Sequence, residues 1–229
     1  MENQESNHQR EYGGLLALPE KKALLWLARH IPSRINSDHL TLLGLISMFA
    51  AGASFWLARW NKYALFAVVA ALALNWFGDS LDGTLARTRN CQRPRYGYYV
   101  DHVIDLIGTA ALLGGIALSG YMTPLIAAAL LAAYEMVAAE VFLSTYVRRI
   151  FKLSCFGFGP TELRVVLAAG ALYLLRSPRV SPGGIGPFLL FDIGGIVSIV
   201  GLLAAFSYSA LRNTCWLYRA EPLKPAERG

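Results

Sequence analysis

Long apolar runs, separated by short polar segments, fill the chain from Leu40 onward. Each run approaches the roughly 20 residues that a helix needs to cross a bilayer, although the second and fifth runs are short. The pattern predicts an all-α fold class: a polytopic membrane protein with six transmembrane helices and a short interfacial helix before them. The predicted spans are Leu40–Ala58, Tyr63–Phe77, Val100–Leu118, Pro124–Tyr146, Thr161–Leu175 and Phe188–Leu211.

The interfacial helix is expected between Pro19 and Arg29. Lys21 and Lys22 precede an apolar Leu and Trp cluster, as in helices that lie at a membrane surface. An ordinary surface helix would show the same pattern. No apolar run precedes Leu40, so no N-terminal signal peptide is expected and the first run is a retained span.

Composition excludes an ordinary soluble domain. Of the 229 residues, 55% are hydrophobic and 16% are charged, and the mean hydropathy is +0.41. The net charge of +6 could indicate nucleic-acid binding, but the basic residues lie beside apolar runs. Contact with anionic lipid headgroups is the better interpretation, and no nucleic-acid partner is expected. The cysteines lack a metal-site spacing and are expected to be free thiols: Cys91, Cys155 and Cys215.

The basic residues also predict an orientation. With six spans and a cytoplasmic N-terminus, all but four of the 21 Lys and Arg residues fall on the cytoplasmic side. This is a strong positive-inside bias. Both termini and residues 79–105 would then face the cytoplasm.

Four carboxylates stand between the second and third apolar runs. Asp79 and Asp82 are three residues apart and Asp101 and Asp105 are four apart, so on helices each pair lies on one face. Carboxylate oxygens suit Mg²⁺, Mn²⁺ or Ca²⁺ better than zinc, and acids at membrane depth are costly and usually functional. The pattern predicts a divalent-metal site; solvated acids at helix ends are the alternative.

Small residues and an arginine accompany the four acids. Gly83, Ala86 and Gly97 lie within a helical turn of them, where a bulkier side chain would block a ligand or a facing helix. Arg87, four residues after Gly83, is placed to meet a phosphate. Metal ions that grip a pyrophosphate beside an arginine are a known arrangement for phosphoryl transfer.

Together these residues resemble the signature of the CDP-alcohol phosphotransferase family at every fixed position. The matching motif is Asp79-x2-Asp82-Gly83-x2-Ala86-Arg87, a spacer, and Gly97-x3-Asp101-x3-Asp105. The resemblance implies an enzyme of phospholipid synthesis that transfers a phosphatidyl or phospho-alcohol group from a CDP-linked donor to an alcohol hydroxyl and releases CMP. Residues 39–213 would form the transmembrane catalytic domain, residues 1–38 a cytoplasmic head and residues 214–229 a cytoplasmic tail.

The resemblance implies cofactors and partners as well. Asp79, Asp82, Asp101 and Asp105 would hold two divalent cations, Mg²⁺ first and Mn²⁺ as the alternative. Asp105 is the candidate general base, and His102 is its substitute if Asp105 is only a ligand. The partners would be the donor, the alcohol acceptor, the lipid bilayer and a second copy of the chain in a homodimer. The membrane would be the plasma or inner membrane of a bacterium.

The nucleotide would contact further residues of the motif. By the same resemblance, Gly83 and Ala86 let the cytidine nucleotide approach the helix, and Arg87 contacts its phosphate. Family members also resemble this chain in an Asn and a Thr at the start of the first span, here Asn36 and Thr41, which would lie near the nucleotide.

The donor has two alternatives. Short bacterial members mostly use CDP-diacylglycerol with a polar alcohol, such as glycerol phosphate, inositol phosphate or serine, and this donor is placed first. Choline and ethanolamine phosphotransferases of the eukaryotic type use a CDP-linked headgroup and a lipid alcohol. They have a similar Thr-Glu pair, here Thr161 and Glu162, and a His after the third motif Asp, here His102. Glu162 and His102 could then help to deprotonate the acceptor or hold a cationic headgroup.

Two segments near the acid motif also have purely structural interpretations. Arg89, Arg93 and Arg95 lie among tyrosines, which favours anchoring at the membrane surface over steering of phosphate groups. Ser37 or Asp38 could cap the first span.

A cation-coupled transporter is the rival class, because intramembrane acids can bind a travelling ion. The chain shows no inverted repeat or broken-helix pair at mid-membrane, which disfavours a transporter. A catalytically inactive scaffold is a weaker reading, since the motif is intact. Glu135, Glu140 and Asp192 also lie within predicted spans. An ion pair with a neighbouring Arg or a helix–helix hydrogen bond would explain them, and they are left out of the predicted site.

Overall fold

The structure, a computed structural model, describes residues 17–148 and 160–222. This part of the chain consists of helices joined by short connections, with one small antiparallel hairpin before the last helix. The helices are α1 Ala17–His30, α2 Ser37–Leu57, α3 Ala64–Thr88, α4 Pro94–Ser119, α5 Pro124–Arg148, α6 Pro160–Leu174 and α7 Leu190–Ala220. The hairpin strands are β1 Arg179–Val180 and β2 Phe188–Leu189, with a 3₁₀ turn at Pro182–Gly184 between them.

The all-α membrane fold is confirmed. Among residues 17–148 and 160–222, five helices are long and apolar enough to cross a membrane: α2 to α5 and α7. The predicted fifth span corresponds to α6, which has only 15 residues in the described part of the chain. The second predicted span continues through Asp79–Arg87 as one unbroken helix, because α3 extends to Thr88 with no Pro or kink. The short helix before the first span is present as α1.

Contacts between helix ends show which ends lie on the same side of the bundle. At one end, the Tyr121 hydroxyl donates to the carbonyl of Ala58, at 3.1 Å, and joins the α4–α5 connection to the end of α2. At the other end, Arg164 in the first turns of α6 pairs with Asp79 near the end of α3. The last buried residue of α6, Leu174, packs in the same core cluster as Phe55. The short α6 therefore runs in the direction expected of a fifth span.

Two close helix crossings use glycine. A Cβ built on Gly115 of α4 would lie 2.0 Å from the carbonyl oxygen of Gly52 in α2, and one built on Gly78 of α3 would lie 2.5 Å from the carbonyl oxygen of Leu40. Backbone meets backbone at both points, so no side chain can turn aside. These two crossings set α2 between α3 and α4.

A buried carboxylate joins α5 to α7. Glu140 is 9% exposed, and its two oxygens accept hydrogen bonds from the Ser209 hydroxyl, at 2.8 Å, and from Nδ2 of Asn213, at 2.6 Å. Interhelical hydrogen bonds of this kind hold membrane helices in register. The helix–helix hydrogen bond that the sequence suggested as an explanation for Glu140 is therefore present between α5 and α7.

Asp192, at the start of α7, holds the residue before α5. Its carboxylate accepts from the backbone N–H of Thr123, at 2.6 Å, and from the Thr123 hydroxyl, at 2.7 Å. We expect Asp192→Ala to lower the free energy of unfolding by about 0.5–1.5 kcal/mol for each hydrogen bond lost. Asp192→Asn keeps one acceptor oxygen and should lose less. Thermal unfolding in detergent measures both variants, and equal losses would contradict this role of the hydrogen bonds.

Candidate active site

Helices α3 and α4 bring the four predicted acids to one place. Asp79 and Asp82 come from the second half of α3, and Asp101 and Asp105 from the first half of α4. The charge of Asp82 interacts with those of Asp79 and Asp101, and the charge of Asp105 interacts with all three other acids. The two halves of the motif therefore form one acidic cluster across two helices.

Asp82 is the most enclosed of the four, with 6% of its surface exposed. Its Oδ2 accepts a hydrogen bond from the hydroxyl of Thr41, at 2.7 Å, and its Oδ1 accepts from the backbone N–H of Gly83. Its own carbonyl accepts from the Ser37 hydroxyl at 3.1 Å. The first turn of α2 thus holds Asp82 in place, and Thr41 contacts this acid directly.

Asp79 has a cationic partner that sequence reasoning missed. Arg164 of α6 donates from Nη2 to Oδ2 of Asp79, at 2.5 Å, and from Nε to Oδ1 of Asn75, at 2.7 Å. Asn75 in turn donates to the carbonyl of Gly44, at 3.0 Å. Asn75 and Asp79 are four residues apart on α3, so the polar spacing offered a signal. No sequence signal identified their partner Arg164, because it lies 85 residues further along the chain than Asp79.

The start of α2 differs from the predicted capping. The N-cap residue is Asn36, whereas Ser37 or Asp38 was predicted. Ser37 instead donates to α3, and Asp38 forms an ion pair with Arg93. The backbone N–H of Asn36 donates to Nδ1 of His39, at 3.0 Å. The prediction failed because Ser and Asp favour caps in general but are used here in contacts between helices.

A cavity of about 450 Å³ opens between the start of α2 and the end of α3, and its lining includes Ser37, which donates to the carbonyl of Asp82. Two residues predicted to lie near a nucleotide line it, Asn36 and Ala86. The exposed free thiol of Cys91 lies in the same wall. Cys215 is also free and exposed, and Cys155 lies outside the described residues. The remaining lining residues are Ser37, Asp38, Leu85, Arg89, Gln92 and Arg93.

Two of the small residues face open space rather than a helix. A Cβ on Gly97 would meet nothing within 4 Å, and one on Gly83 would meet only the guanidinium of Arg87, at 3.3 Å. Arg87 is exposed and donates from Nη2 to the Thr84 hydroxyl, at 3.1 Å. The fold itself therefore does not need glycine at these two positions for packing.

Arg89 and Arg93 stabilise the loops around the cavity. Arg89 donates to the carbonyls of Ile31 and Pro32, at 2.9 and 3.0 Å, and to that of Ile35. Arg93 pairs with Asp38 and stacks on the ring of Tyr96, 4.1 Å from its centroid. Arg89 and Arg93 thus hold the connections before α2 and α4, and the membrane anchoring or phosphate steering predicted for this group stays a prediction.

His102 and Glu162 lie on different helices. The Nδ1 of His102 lies 2.6 Å from the carbonyl oxygen of Tyr98; because a carbonyl only accepts, this nitrogen carries the proton. The His102 ring also meets the edge of Phe142 in α5, at 4.9 Å between centroids. Glu162 lies in the first turn of α6. Asp105 has an exposed side chain on α4, which leaves it accessible to a substrate.

The chemistry of the cluster fits divalent cations, since it offers several carboxylates and no soft ligand. Within residues 17–148 and 160–222, no three Asp, Glu, His or Cys side chains converge closely enough to share one ion as they are placed. Asp79 is directed to Arg164 instead. Metal binding would require these side chains to rotate towards one another.

The chain was compared with known proteins. The model of the CDP-alcohol phosphatidyltransferase family matches residues 35–207. Among solved structures, the chain is similar to the phosphatidylinositol phosphate synthase of Mycobacterium tuberculosis, crystallised with CDP-DAG bound. The TM-score is 0.60 and the identity 16%, over 89% of this chain and 100% of that chain. No curated protein sequence matches the chain.

The family match includes all four acids of the cluster and every residue that lines the polar cavity. Members of this family are integral membrane transferases of phosphate-containing groups that act in phospholipid synthesis and use divalent metal ions. The structural likeness, at 16% identity, shows the shared fold. The protein is a member of the CDP-alcohol phosphatidyltransferase family.

Proposed function

We propose that the protein transfers a phosphatidyl group from CDP-diacylglycerol to a polar alcohol and releases CMP. The observation that supports this choice of donor is that two cavities of different character both take lining residues from the start of α2. One is the polar cavity lined by Asn36 and Ala86, whose lining residue Ser37 donates to the carbonyl of Asp82. The other is a larger apolar groove lined by His39, Leu40 and Leu43 of the same helix. A donor with a nucleotide at one end and two acyl chains at the other matches this pairing.

The apolar groove has a volume of about 620 Å³ and lies between α1, α2 and α3. Its walls are mainly aliphatic and aromatic, with basic or polar side chains among them. Acyl chains gain free energy by leaving water for such a surface, at about 25 cal/mol per Å². The residues that line the groove are Leu27, His30, Ile31, Pro32, Arg34, Ile35, His39, Leu40, Leu43 and Phe77.

The proposed reaction is an attack of the acceptor hydroxyl on the phosphorus that carries the diacylglycerol. Asp105 accepts the hydroxyl proton, the new phosphate ester bond forms, and the pyrophosphate bond breaks so that CMP leaves. Asp105 suits this role because its side chain is exposed within the cluster. His102 stays the substitute base. Thr41 and the Gly83 N–H hold Asp82 in a fixed orientation.

The proposed cofactors are two divalent cations, Mg²⁺ first and Mn²⁺ as the alternative, held by Asp79, Asp82, Asp101 and Asp105. When bound, they would supply positive charge to the pyrophosphate and to the departing CMP. Gly83 and Ala86 leave room for the nucleotide, and Arg87 is exposed near its expected phosphate.

The membrane, orientation and assembly also remain proposals. The positive-inside bias supports a cytoplasmic site and cytoplasmic termini, in the plasma or inner membrane of a bacterium. A homodimer and the three-part division at residues 38 and 213 stay predictions from the family resemblance and the sequence.

The direct test is CMP release by the purified protein with Mg²⁺ and a panel of polar alcohols. CDP-diacylglycerol is offered in one series, and CDP-choline or CDP-ethanolamine with diacylglycerol in another. Acceptor-dependent CMP release only in the first series would support the proposed donor. Release only in the second would select the headgroup donor and the roles predicted for His102 and Glu162. No release in either series would refute the transferase.

Cys91 allows the nucleotide cavity to be tested without turnover. In a Cys155→Ser, Cys215→Ser background, we expect donor at ten times its Kd to slow maleimide labelling of Cys91 about tenfold, in proportion to the unoccupied fraction. Cys91 lines the proposed nucleotide cavity, which explains the effect.

Cys215 provides the matched control, since it is exposed near the end of α7. In a Cys91→Ser, Cys155→Ser background, the labelling rate of Cys215 should not respond to the donor. If saturating donor leaves Cys91 labelling unchanged, the nucleotide binds elsewhere.

A further inference from the structure

Glu20 of α1 connects three helices through one oxygen. Its Oε1 accepts hydrogen bonds from Nε1 of Trp76, at 2.7 Å, from the Thr161 hydroxyl, at 2.8 Å, and more weakly from the Ser80 hydroxyl, at 3.4 Å. Trp76 and Ser80 belong to α3 and Thr161 to α6. Glu20 lies outside residues 35–207, the range that the family model matches.

The two helix turns held by Glu20 are also the turns that meet at the acidic cluster. Trp76 precedes Asp79 by three residues, and Thr161 precedes Arg164 by three, about 4.5 Å along a helix axis. Residues three apart share a helix face. The same turn of α3 and the same turn of α6 are therefore linked twice, by Glu20 and by the Arg164–Asp79 ion pair.

The ion pair depends on this arrangement because Arg164 reaches both of its partners from the first turns of α6. Its guanidinium donates to Asp79 and to Asn75, two acceptors one turn apart on α3. A planar guanidinium can donate to both acceptors only if α6 has one axial position and one rotation relative to α3. One oxygen of Glu20 accepts from both α3 and α6, which suits this residue to fix that position.

We propose that Glu20 is a positioning residue for the transfer reaction: it holds the start of α6 against α3 and so sets the Arg164–Asp79 pair. This inference rests on the proposed function. It assigns α1 a part in organising the acidic cluster, in addition to contact with the membrane surface. Glu20 is expected to influence the position of Asp79 through Arg164.

The kinetic test compares Glu20→Ala and Glu20→Gln with the wild type. We expect Glu20→Ala to lower kcat about tenfold, as loss of an outer-shell partner does, with the KM for the donor unchanged. The three donors to Glu20 are neutral groups, so glutamine, which keeps an acceptor oxygen, should restore most of kcat. Glu140→Ala is the matched control. It removes a carboxylate of α5 that also accepts hydrogen bonds from neutral donors on another helix, α7. It should leave kcat unchanged.

A double-mutant cycle separates positioning from general destabilisation. If Glu20 acts through Arg164, then Glu20→Ala should have little further effect on kcat in an Arg164→Lys background. Effects that multiply in the double variant would overturn the proposal. Thr161→Val removes only the link between Glu20 and α6, and it should reproduce the kcat loss. It replaces Glu20→Ala in the test if that variant does not fold.

A spectroscopic readout follows the contact itself. In a ¹H–¹⁵N spectrum, the indole resonance of Trp76, assigned with Trp76→Phe, should move upfield in Glu20→Ala and return towards its position in Glu20→Gln. An inactive wild type would refute the proposed function. An active wild type whose kcat survives Glu20→Ala, with the indole resonance moved, would refute the positioning role alone.

Discussion

Acceptor-dependent CMP release is expected to fall on the order of 10³-fold when Asp82 is replaced by asparagine. Asp82 is 6% exposed, and each of its oxygens faces a donor, Thr41 on one side and the Gly83 N–H on the other. Asparagine has the same shape, but its amide carries no charge and must turn its NH₂ group towards one of those donors. The variant therefore loses both the charge that would hold a cation and the orientation of the side chain.

CMP release from CDP-diacylglycerol with Mg²⁺ measures this effect, and thermal unfolding in detergent shows whether the variant is folded. Glu140→Gln is a suitable control, because it also neutralises a buried carboxylate while leaving an oxygen for Ser209. That variant should release CMP at the wild-type rate. Activity of Asp82→Asn within tenfold of the wild type would show that the acidic cluster is not the reaction site.

Gly115→Ala is expected to cause the largest loss of stability. The added Cβ would lie 2.0 Å from the carbonyl oxygen of Gly52 and 2.3 Å from its carbonyl carbon, so α2 and α4 must separate. Overpacking in a tight core usually costs about 1–3 kcal/mol, and contact with rigid backbone places this variant at the upper end or beyond. Because α2 also carries Thr41, a shift of α2 should reduce CMP release as well.

The adjacent glycine provides a matched control. A Cβ on Gly114 would meet nothing within 4 Å, and alanine favours a helix over glycine by about 1 kcal/mol. Gly114→Ala should therefore be neutral or stabilising, in contrast to the same change one residue further on. The midpoint of thermal unfolding in detergent measures both. If both variants unfold at the wild-type midpoint, α2 and α4 do not cross at Gly115.

Residue spacing was a good guide to the acidic cluster. The intervals between Asp79 and Asp82 and between Asp101 and Asp105 place each pair on one helix face, and the structure has all four on the continuous helices α3 and α4. The same local periodicity predicted α1 and the long apolar helices. Metal binding and the catalytic roles of these acids stay predictions that the proposed experiments test.

The packing roles of glycines were not predictable from the sequence. Gly83 and Gly97 were selected because a bulkier side chain there would block a ligand or a facing helix. The structure leaves open space beside them, apart from Arg87, so no facing helix requires glycine there and the ligand role stays a prediction. Gly52, Gly78 and Gly115 make the close helix crossings, and nothing in their local sequence distinguishes them from glycines that face lipid. A crossing point depends on which two helices meet and at what height, which a single chain segment does not contain.

The sequence by itself determined the membrane class, the order of the helices, the acid motif and the family resemblance, which the family match confirmed. Each of these depends on residue types at short, regular spacings along one helix. Only the tertiary structure decided that Arg164 neutralises Asp79, that Thr41 holds Asp82 and that Glu20 joins α1 to α3 and α6. These contacts link residues 41 to 141 positions apart. Their existence depends on how helices pack, because polar groups removed from water must find their partners on neighbouring helices.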